Sequence, residues 1–425
     1  VRKLLVIALV AASLTACRGG ETTTDAGGIK TDVGVTKEPC PQAIDQAKGC
    51  IYLGIISDLT EGPFKALAVP ITEAQKAFWK RVNEAGGIGG YEIDVTKFVK
   101  DNKYNPQTHK EVWDQIKGQV LALAQTLGSP TTAAIMSDLK SGNVVAVPAS
   151  WTSQWAFDDV IIESGANYCI ESMNSLDYAV EKYKSKSVLA VHYAGDYGDD
   201  AAAGVKFAAE KLGLTFSHLK TDAGADKQAG AIAEIVGKKP DLVILTTGPT
   251  ETATIVGQAA ARGYTGRFIG TSPTWNPALL QSAAAPALLA LYEQSAPWNS
   301  WTTNTPGHEA LRKALTGVTA LSEGYTAGWV WSYPLKAALQ KATANKDLTR
   351  AGLLAAVKSL DSVDYEGMLP TGAGNFKAGA TGQVKVTAIY KPDKAGVTGV
   401  SLVKDLFVGP TAQAYTLDSA CFNKL

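Results

Sequence analysis

The chain has 425 residues, 46% of them hydrophobic and 19% charged, and its 40 basic and 40 acidic side chains cancel. Such a chain buries a sizeable core in roughly two or three domains and is globular. No long run of either sign occurs, which excludes the electrostatic footprint of a nucleic-acid binder.

The amino terminus, VRKLLVIALVAASLTAC, places Arg2 and Lys3 before an apolar run of about a dozen residues, the layout of a secretory signal and short for a membrane span. Its end, Leu14-Thr15-Ala16-Cys17, resembles the lipobox of bacterial lipoproteins. That resemblance implies cleavage before Cys17 and a diacylglycerol on its thiol, an anchor that holds a protein on a membrane without spanning it. The alternative is an ordinary secretory signal with a chance cysteine. With 1–17 as leader, the Gly-, Thr- and Asp-rich stretch 18–39 reads as a flexible tether.

Cys40, Cys50, Cys169 and Cys421 then face an oxidising compartment, where four cysteines allow three pairings. Cys40 with Cys50 closes one short loop ahead of the first strand and is the first choice, leaving Cys169 with Cys421. A metal site is the rival, but CxxC spacing and a neighbouring His are missing. No metal or other cofactor is expected.

From Ile51 the chain alternates. IYLGIIS (51–57) predicts a strand, ITEAQKAFWKRVNEAGG (71–87) a helix stopped by glycines, YEIDVTKFV (91–99) an alternating strand, and PQTHKEVWDQIKGQVLALAQ (106–125) a helix. NVVAVPA (143–149), KSVLAVHYA (186–194), GLTFSHLK (213–220), DLVILTT (241–247) and GRFIGTS (266–272) follow as strands separated by helical stretches such as 199–213. Strand and helix alternating this often predict α/β architecture with parallel sheets covered by helices. Helical patterns at 307–317, 328–347 and 348–360 come next, and strands at 381–391 and 400–409 close the chain. Late strands returning after helices fit two discontinuous lobes, 51–170 with 275–380 and 171–274 with 381–412, followed by a tail at 413–425.

The stretch DLVILTTGPTET ends a strand buried on both faces, turns at Gly248-Pro249, and presents Glu251. It echoes LGSPTTAAIM (127–136): each places a turn, a proline and a Thr pair at a helix start. The carboxyl edge of an open α/β sheet is where ligands bind, and helix starts offer free N–H groups. Plain helix capping, with Glu251 bonding back to its cap, explains the same residues.

IYLGIISDLTEGPF, RVNEAGGIGGYEIDV, AGDYGDDAAAGVKFAAEKLG and DLVILTTGPTETATIVGQAAARGYTGRFIGT resemble, in order, blocks of the solute-binding lipoproteins of branched-chain amino-acid ABC transporters. The resemblance covers about Ile51 to Tyr390. It implies a type I periplasmic-binding-protein fold, two Rossmann-like lobes joined by three crossing segments, a ligand trapped as the lobes close, and a membrane permease with its ATPases as partners. Carried over by residue, Thr131 and Thr132 after the LGSP turn and Ser150, Trp151 and Thr152 in the next loop are expected at the ligand carboxylate. Glu251 is expected at its ammonium, and Phe64, Tyr193 and Trp275 at the cleft. A zwitterion divided in this way has each buried charge paired.

Two departures bear on specificity. Trp151 stands where a small or hydroxylated residue is common, and Lys65–Pro70 replaces the family's more usual aromatic and glycine. Among Trp151, Trp155, Trp275, Trp298 and Trp301, one or two are expected to touch a flat or aromatic ligand, whereas Trp329 and Trp331 are expected to pack in the core. GxSxG, HExxH, GxxxxGK[ST] and paired CxxC are missing, and the four His scatter, so an enzyme is not expected. Asp196, Asp199 and Asp200 precede a helix, where capping accounts for them. The expectation is an extracytoplasmic, lipid-anchored, monomeric receptor that passes a small amino-acid-like solute to an ABC importer. Its alternatives are a sensor for a membrane signalling partner or a binder of an aromatic acid or amide.

Overall fold

The computed structural model describes residues 22–25 and 27–425; the leader 1–17 with Cys17 lies outside them. The first sheet contains β1 (Gly49–Ser57), and α1 (Lys65–Glu84) leads from it to β2 (Tyr91–Asp101); α2 (Pro106–Ile116) then leads to β3 (Ala122–Leu127), and β4 (Ala146–Ala149) follows. These strands run parallel in the order β2-β1-β3-β4, with Ile51 beside Ile93 and Leu53 beside Ala122. β1 is buried at every position but Tyr52, as a central strand covered on both faces must be. α1 buries Ala68, Ile71, Ala74, Gln75, Phe78, Trp79 and Val82, a stripe at helical spacing. Between α1 and β2, Gly86, Gly87, Gly89 and Gly90 all take positive φ, so the turn needs the glycines of the NEAGGIGG block.

The helix expected over 106–125 stops at Ile116, and its second half is β3. Ala122–Leu127 is fully buried between β1 and β4. A short apolar run of this kind has no periodicity that separates strand from helix, and Gly118 was the break.

In the second lobe come α3 (Tyr168–Tyr183), β5 (Ser187–Tyr193), α4 (Asp196–Leu212), β6 (Thr215–Thr221), α5 (Ala229–Lys238), β7 (Leu242–Thr246), α6 (Pro249–Ala261), β8 (Arg267–Gly270) and β9 (Tyr292–Ala296). The chain then returns to the first lobe with α7 (Pro306–Ala314), α8 (Glu323–Ala344) and α9 (Arg350–Val357), and ends in β10 (Thr387–Pro392) and β11 (Val400–Phe407). The second sheet runs β11-β10-β9-β8-β7-β5-β6, parallel from β9 to β6 and antiparallel at β9-β10-β11. The two sheets are linked by crossings near 150–167, 297–305 and 358–386.

Two expected boundaries move. Residues 275–296 were expected in the first lobe, but β9 pairs with β8 through Phe268–Tyr292 and Gly270–Gln294, so the crossing falls after Ala296. The stretch 18–39 was expected to be a tether, yet its described part packs on the first lobe. Ile29 and Thr31 are buried, the Tyr91 hydroxyl donates to Asp25 at 2.7 Å, and the Tyr52 N–H donates to the Gly34 carbonyl at 2.7 Å. Gly34 has φ +81° and a Cβ there would lie 2.0 Å from the Leu121 nitrogen, so only glycine lets this segment lie against the sheet.

Both expected disulfides are present, Cys40–Cys50 with Cα atoms 4.8 Å apart and Cys169–Cys421 with Cα atoms 6.3 Å apart. The second ties the tail to α3, where Cys421 is buried. Asp200, at the start of α4, accepts from the Ser153 N–H at 3.0 Å and the Cys169 N–H at 3.2 Å, fastening the first crossing to the second lobe. Burial pushes its carboxyl up to about 7. Among the described residues no helix is long and apolar enough to cross a membrane, and no group of three or more His, Cys, Asp or Glu is placed to hold a metal.

Candidate functional site

A cleft opens where the carboxyl ends of the two sheets face each other. Its space is about 710 Å³, counted with its opening to solvent. The first lobe contributes Phe64 ahead of α1, the Leu127–Ser129 turn after β3, the Ala149–Trp151 turn after β4, and Ser322, Glu323 and Trp331 from the start of α8. The second lobe contributes Tyr197 from α4, Ser272 and Trp275 after β8, and Gln294 on β9, while Tyr168 and Trp298 come from the crossings.

Aromatic rings form most of this wall. Trp151 packs on Trp331 with centroids 4.6 Å apart and on Trp298 at 5.2 Å, and Trp298 meets Trp331 edge-on at 6.2 Å. Phe64 meets Tyr104 of its own lobe at 4.7 Å, and Tyr197 and Tyr193 of the opposite lobe at 6.0 and 6.5 Å. Its position is set by Asp58, whose carboxylate accepts from the Gly62 and Phe64 N–H groups at 2.8 and 2.9 Å.

The electrostatics of the wall are one-sided, since it contains no Lys, Arg or His. Its one carboxylate, Glu323, accepts from the Trp301 N–H at 3.2 Å, Thr326 Oγ1 at 2.8 Å and Thr398 Oγ1 at 2.6 Å, and burial raises its pKa. Behind Ser272, Glu171 accepts from the Ser272 N–H at 2.8 Å, its Oγ at 2.9 Å and Ser295 Oγ at 2.6 Å; burial pushes this carboxyl up to about 7. Burial likewise pushes Asp196 up to about 6.

Of the residues expected at the ligand, Phe64, Ser150, Trp151 and Trp275 line the cleft. The Ser150 Oγ accepts from Trp155 Nε1 at 3.1 Å, and Trp151 Nε1 donates to the Ser164 carbonyl at 2.8 Å. Thr131, Thr132, Thr152, Tyr193 and Glu251 are not part of the wall. Thr131 Oγ1 bonds back to the Gly128 carbonyl at 3.0 Å, Thr132 Oγ1 meets Thr126 Oγ1 at 2.9 Å, and Thr152 caps the turn at 153–157. Glu251 Oε1 accepts from the Gly224 N–H at 2.7 Å, and the Tyr193 hydroxyl beside it accepts from the Gly248 N–H at 2.9 Å. These side chains fasten the turns that frame the cleft. Trp151, Trp275 and Trp298 are in the wall and Trp155 and Trp301 are not; Trp329 packs in the core as expected, but Trp331 is in the wall. Tyr168 and Tyr197 carry no sequence signal beyond being aromatic near a predicted strand end.

The model of the family described as "Periplasmic binding protein" matches residues 51–390. The chain belongs to that family. This periplasmic binding protein is 27% identical over 186 residues to the "Leu/Ile/Val-binding protein homolog 3" of Brucella melitensis biotype 1, a match covering 43% of this chain and 50% of that relative. It thus spans about half the length of the curated relative it matches. Among solved structures it resembles a fatty acid ABC transporter substrate-binding protein from Thermomonospora curvata, at 28% identity and a TM-score of 0.85, over 93% of this chain and 99% of that one. It shares its fold with a branched-chain amino acid ABC transporter protein from Thermus thermophilus, solved with bound valine, at 16% identity and a TM-score of 0.72, over 86% of this chain and 98% of that one.

Proposed function

We propose that this binding protein is the non-enzymatic solute receptor of an ABC importer, held outside the membrane by a lipid on Cys17, and that its solute is mainly apolar. The observation that carries this reading is the cleft wall of Phe64, Trp151, Trp275, Trp298 and Trp331, which has no cation to hold a carboxylate. A zwitterionic amino acid needs both its poles paired once buried. The acid expected to hold the ammonium, Glu251, is not part of this wall, and its Oε1 accepts from the Gly224 N–H. The relative named for fatty acids, 28% identical along nearly the whole chain, supports the same reading. Closure of the two lobes over the solute would present one surface to the permease.

The test is calorimetry at pH 6 with straight-chain acids and amides of increasing length. Each methylene taken from water contributes about 0.8 kcal/mol, close to fourfold in Kd, until the chain outgrows the cleft. Tight binding of leucine or valine, with silence from the whole series, refutes the proposal. The anchor is tested by mass spectrometry of the exported protein, where Cys17→Ser should abolish a diacylglycerol adduct.

A further inference from the structure

We infer that the cleft selects an uncharged polar head: the solute is held as an amide, ester or protonated acid whose oxygen accepts from the indole N–H groups of Trp298 and Trp331. This rests on the apolar-solute reading and adds the chemistry of the head. Five polar atoms on wall residues are buried and have no partner: Nε1 of Trp275, Trp298 and Trp331, and Oγ of Ser129 and Ser322. Buried polar groups in folded proteins are nearly always paired, so such a group in a binding wall points to a partner that arrives with the solute. Indole nitrogens only donate, and the hydroxyls can donate too. The missing partner is therefore an acceptor.

Trp298 and Trp331 carry the argument because they are neighbours, edge-on with centroids 6.2 Å apart, and both are at most 4% exposed. The third ring of this group, Trp151, has its N–H satisfied by the Ser164 carbonyl. The cleft wall thus carries two indoles in edge-on contact whose N–H groups have no partner.

The charge of the head follows from what surrounds it. An ionised carboxylate would meet no cation in the wall and would share the cleft with Glu323, with Glu171 directly behind Ser272. Bringing an anion there costs its hydration with no cation to offset it, whereas a neutral carbonyl uses the same donors without that cost. Binding an acid consequently takes up one proton from solution, which stays on the acid's carboxyl in the complex. A cationic head would find the acidic surroundings favourable but would leave the indole N–H groups unpaired.

Three probes separate these cases on the intact protein: decanamide, decanoic acid and octyltrimethylammonium, titrated calorimetrically at pH 6, 7 and 8. The inference expects decanamide affinity to stay within about twofold across that range. Decanoic acid should weaken about tenfold per pH unit, because carboxyl groups of ordinary pKa are already ionised there. Trp298→Phe and Trp331→Phe, which keep an aromatic ring and remove the donor, should each weaken decanamide about tenfold. Flat affinity for decanoic acid from pH 6 to 8, or tighter binding of the ammonium than of the amide, overturns the neutral head while leaving the apolar-solute reading standing. Unchanged decanamide binding in both folded Phe variants overturns the assignment to these indoles. Should either variant fail to fold, the pH comparison decides alone. Silence from all three probes refutes the apolar-solute reading and takes this inference with it.

Discussion

Phe64→Ala should weaken solute binding by about 2 kcal/mol, because Phe64 lines the cleft and meets Tyr197 and Tyr193 of the opposite lobe. Its ring is 6% exposed. Opening the lobes leaves its contact with Tyr104, 4.7 Å away on the same lobe, and removes those with Tyr197 and Tyr193 at 6.0 and 6.5 Å. Burying a whole Phe side chain is worth about 1.5–3 kcal/mol, and an aromatic pair adds about 0.5–1.5 kcal/mol. Assigning roughly half of the burial and two loosely spaced pairs to closure gives about 2 kcal/mol, or about 30-fold in Kd. The assay is calorimetric titration of decanamide into wild type and variant, with small-angle scattering reporting how far the unliganded lobes open. Leu289→Ala, at a side chain 39% exposed on the second lobe, is the control. A Phe64→Ala affinity within threefold of wild type would refute that contribution.

Three further outcomes follow from the same structure. Glu251→Ala should cost stability by about 2 kcal/mol, the range for a hydrogen bond to a charged acceptor, and leave decanamide affinity unchanged; a large loss of affinity in calorimetry would return Glu251 to the ligand site. Glu171, fully buried, is pushed up to about 7 from an ordinary 4.5. The folded state therefore holds that proton more tightly than the unfolded chain, and the stability it lends below pH 4.5 is lost as pH rises towards 7, by about 3 kcal/mol. In urea titrations, Glu171→Gln should accordingly be more favourable relative to wild type at pH 7.5 than at pH 4.5, and an equal difference at both would contradict the buried proton. Removing Cys169–Cys421, which spans 252 residues, should cost about 5 kcal/mol, against about 3 kcal/mol for Cys40–Cys50, which spans 10. Denaturation of Cys421→Ser and Cys50→Ser measures both.

The alternating order of strands and helices was readable because each central strand is a run of apolar residues bounded by turn residues. The disulfides were readable because one loop was short. β3 was missed because its apolar residues follow α2 after only a brief turn at Gly118, and strand and helix differ there in tertiary partners alone. Residues 22–39 look like a linker by composition, yet buried Ile29 and Thr31, the Tyr91–Asp25 bond and the close approach at Gly34 hold the described part on the first lobe. At the site, some of the residues expected from sequence line the cleft and others bond within their own lobes. Ser150, Trp151 and Trp275 reach the cleft, while Thr131, Thr132 and Glu251, at the helix starts, bond to groups of their own lobes. Which way a side chain leaves a helix start depends on the neighbouring loop, and Gly224 lies 27 residues from Glu251 in the chain. Trp331 differs from Trp329 only by its place around α8, which puts one indole against the cleft and the other against Phe78.

The most direct measurement is a paired titration of decanamide and valine at pH 7, repeated at several temperatures to obtain the heat-capacity change. The account predicts saturable binding of decanamide with a negative heat-capacity change, the mark of apolar surface leaving water, and no binding heat from valine. Saturation by valine with none by decanamide would contradict it.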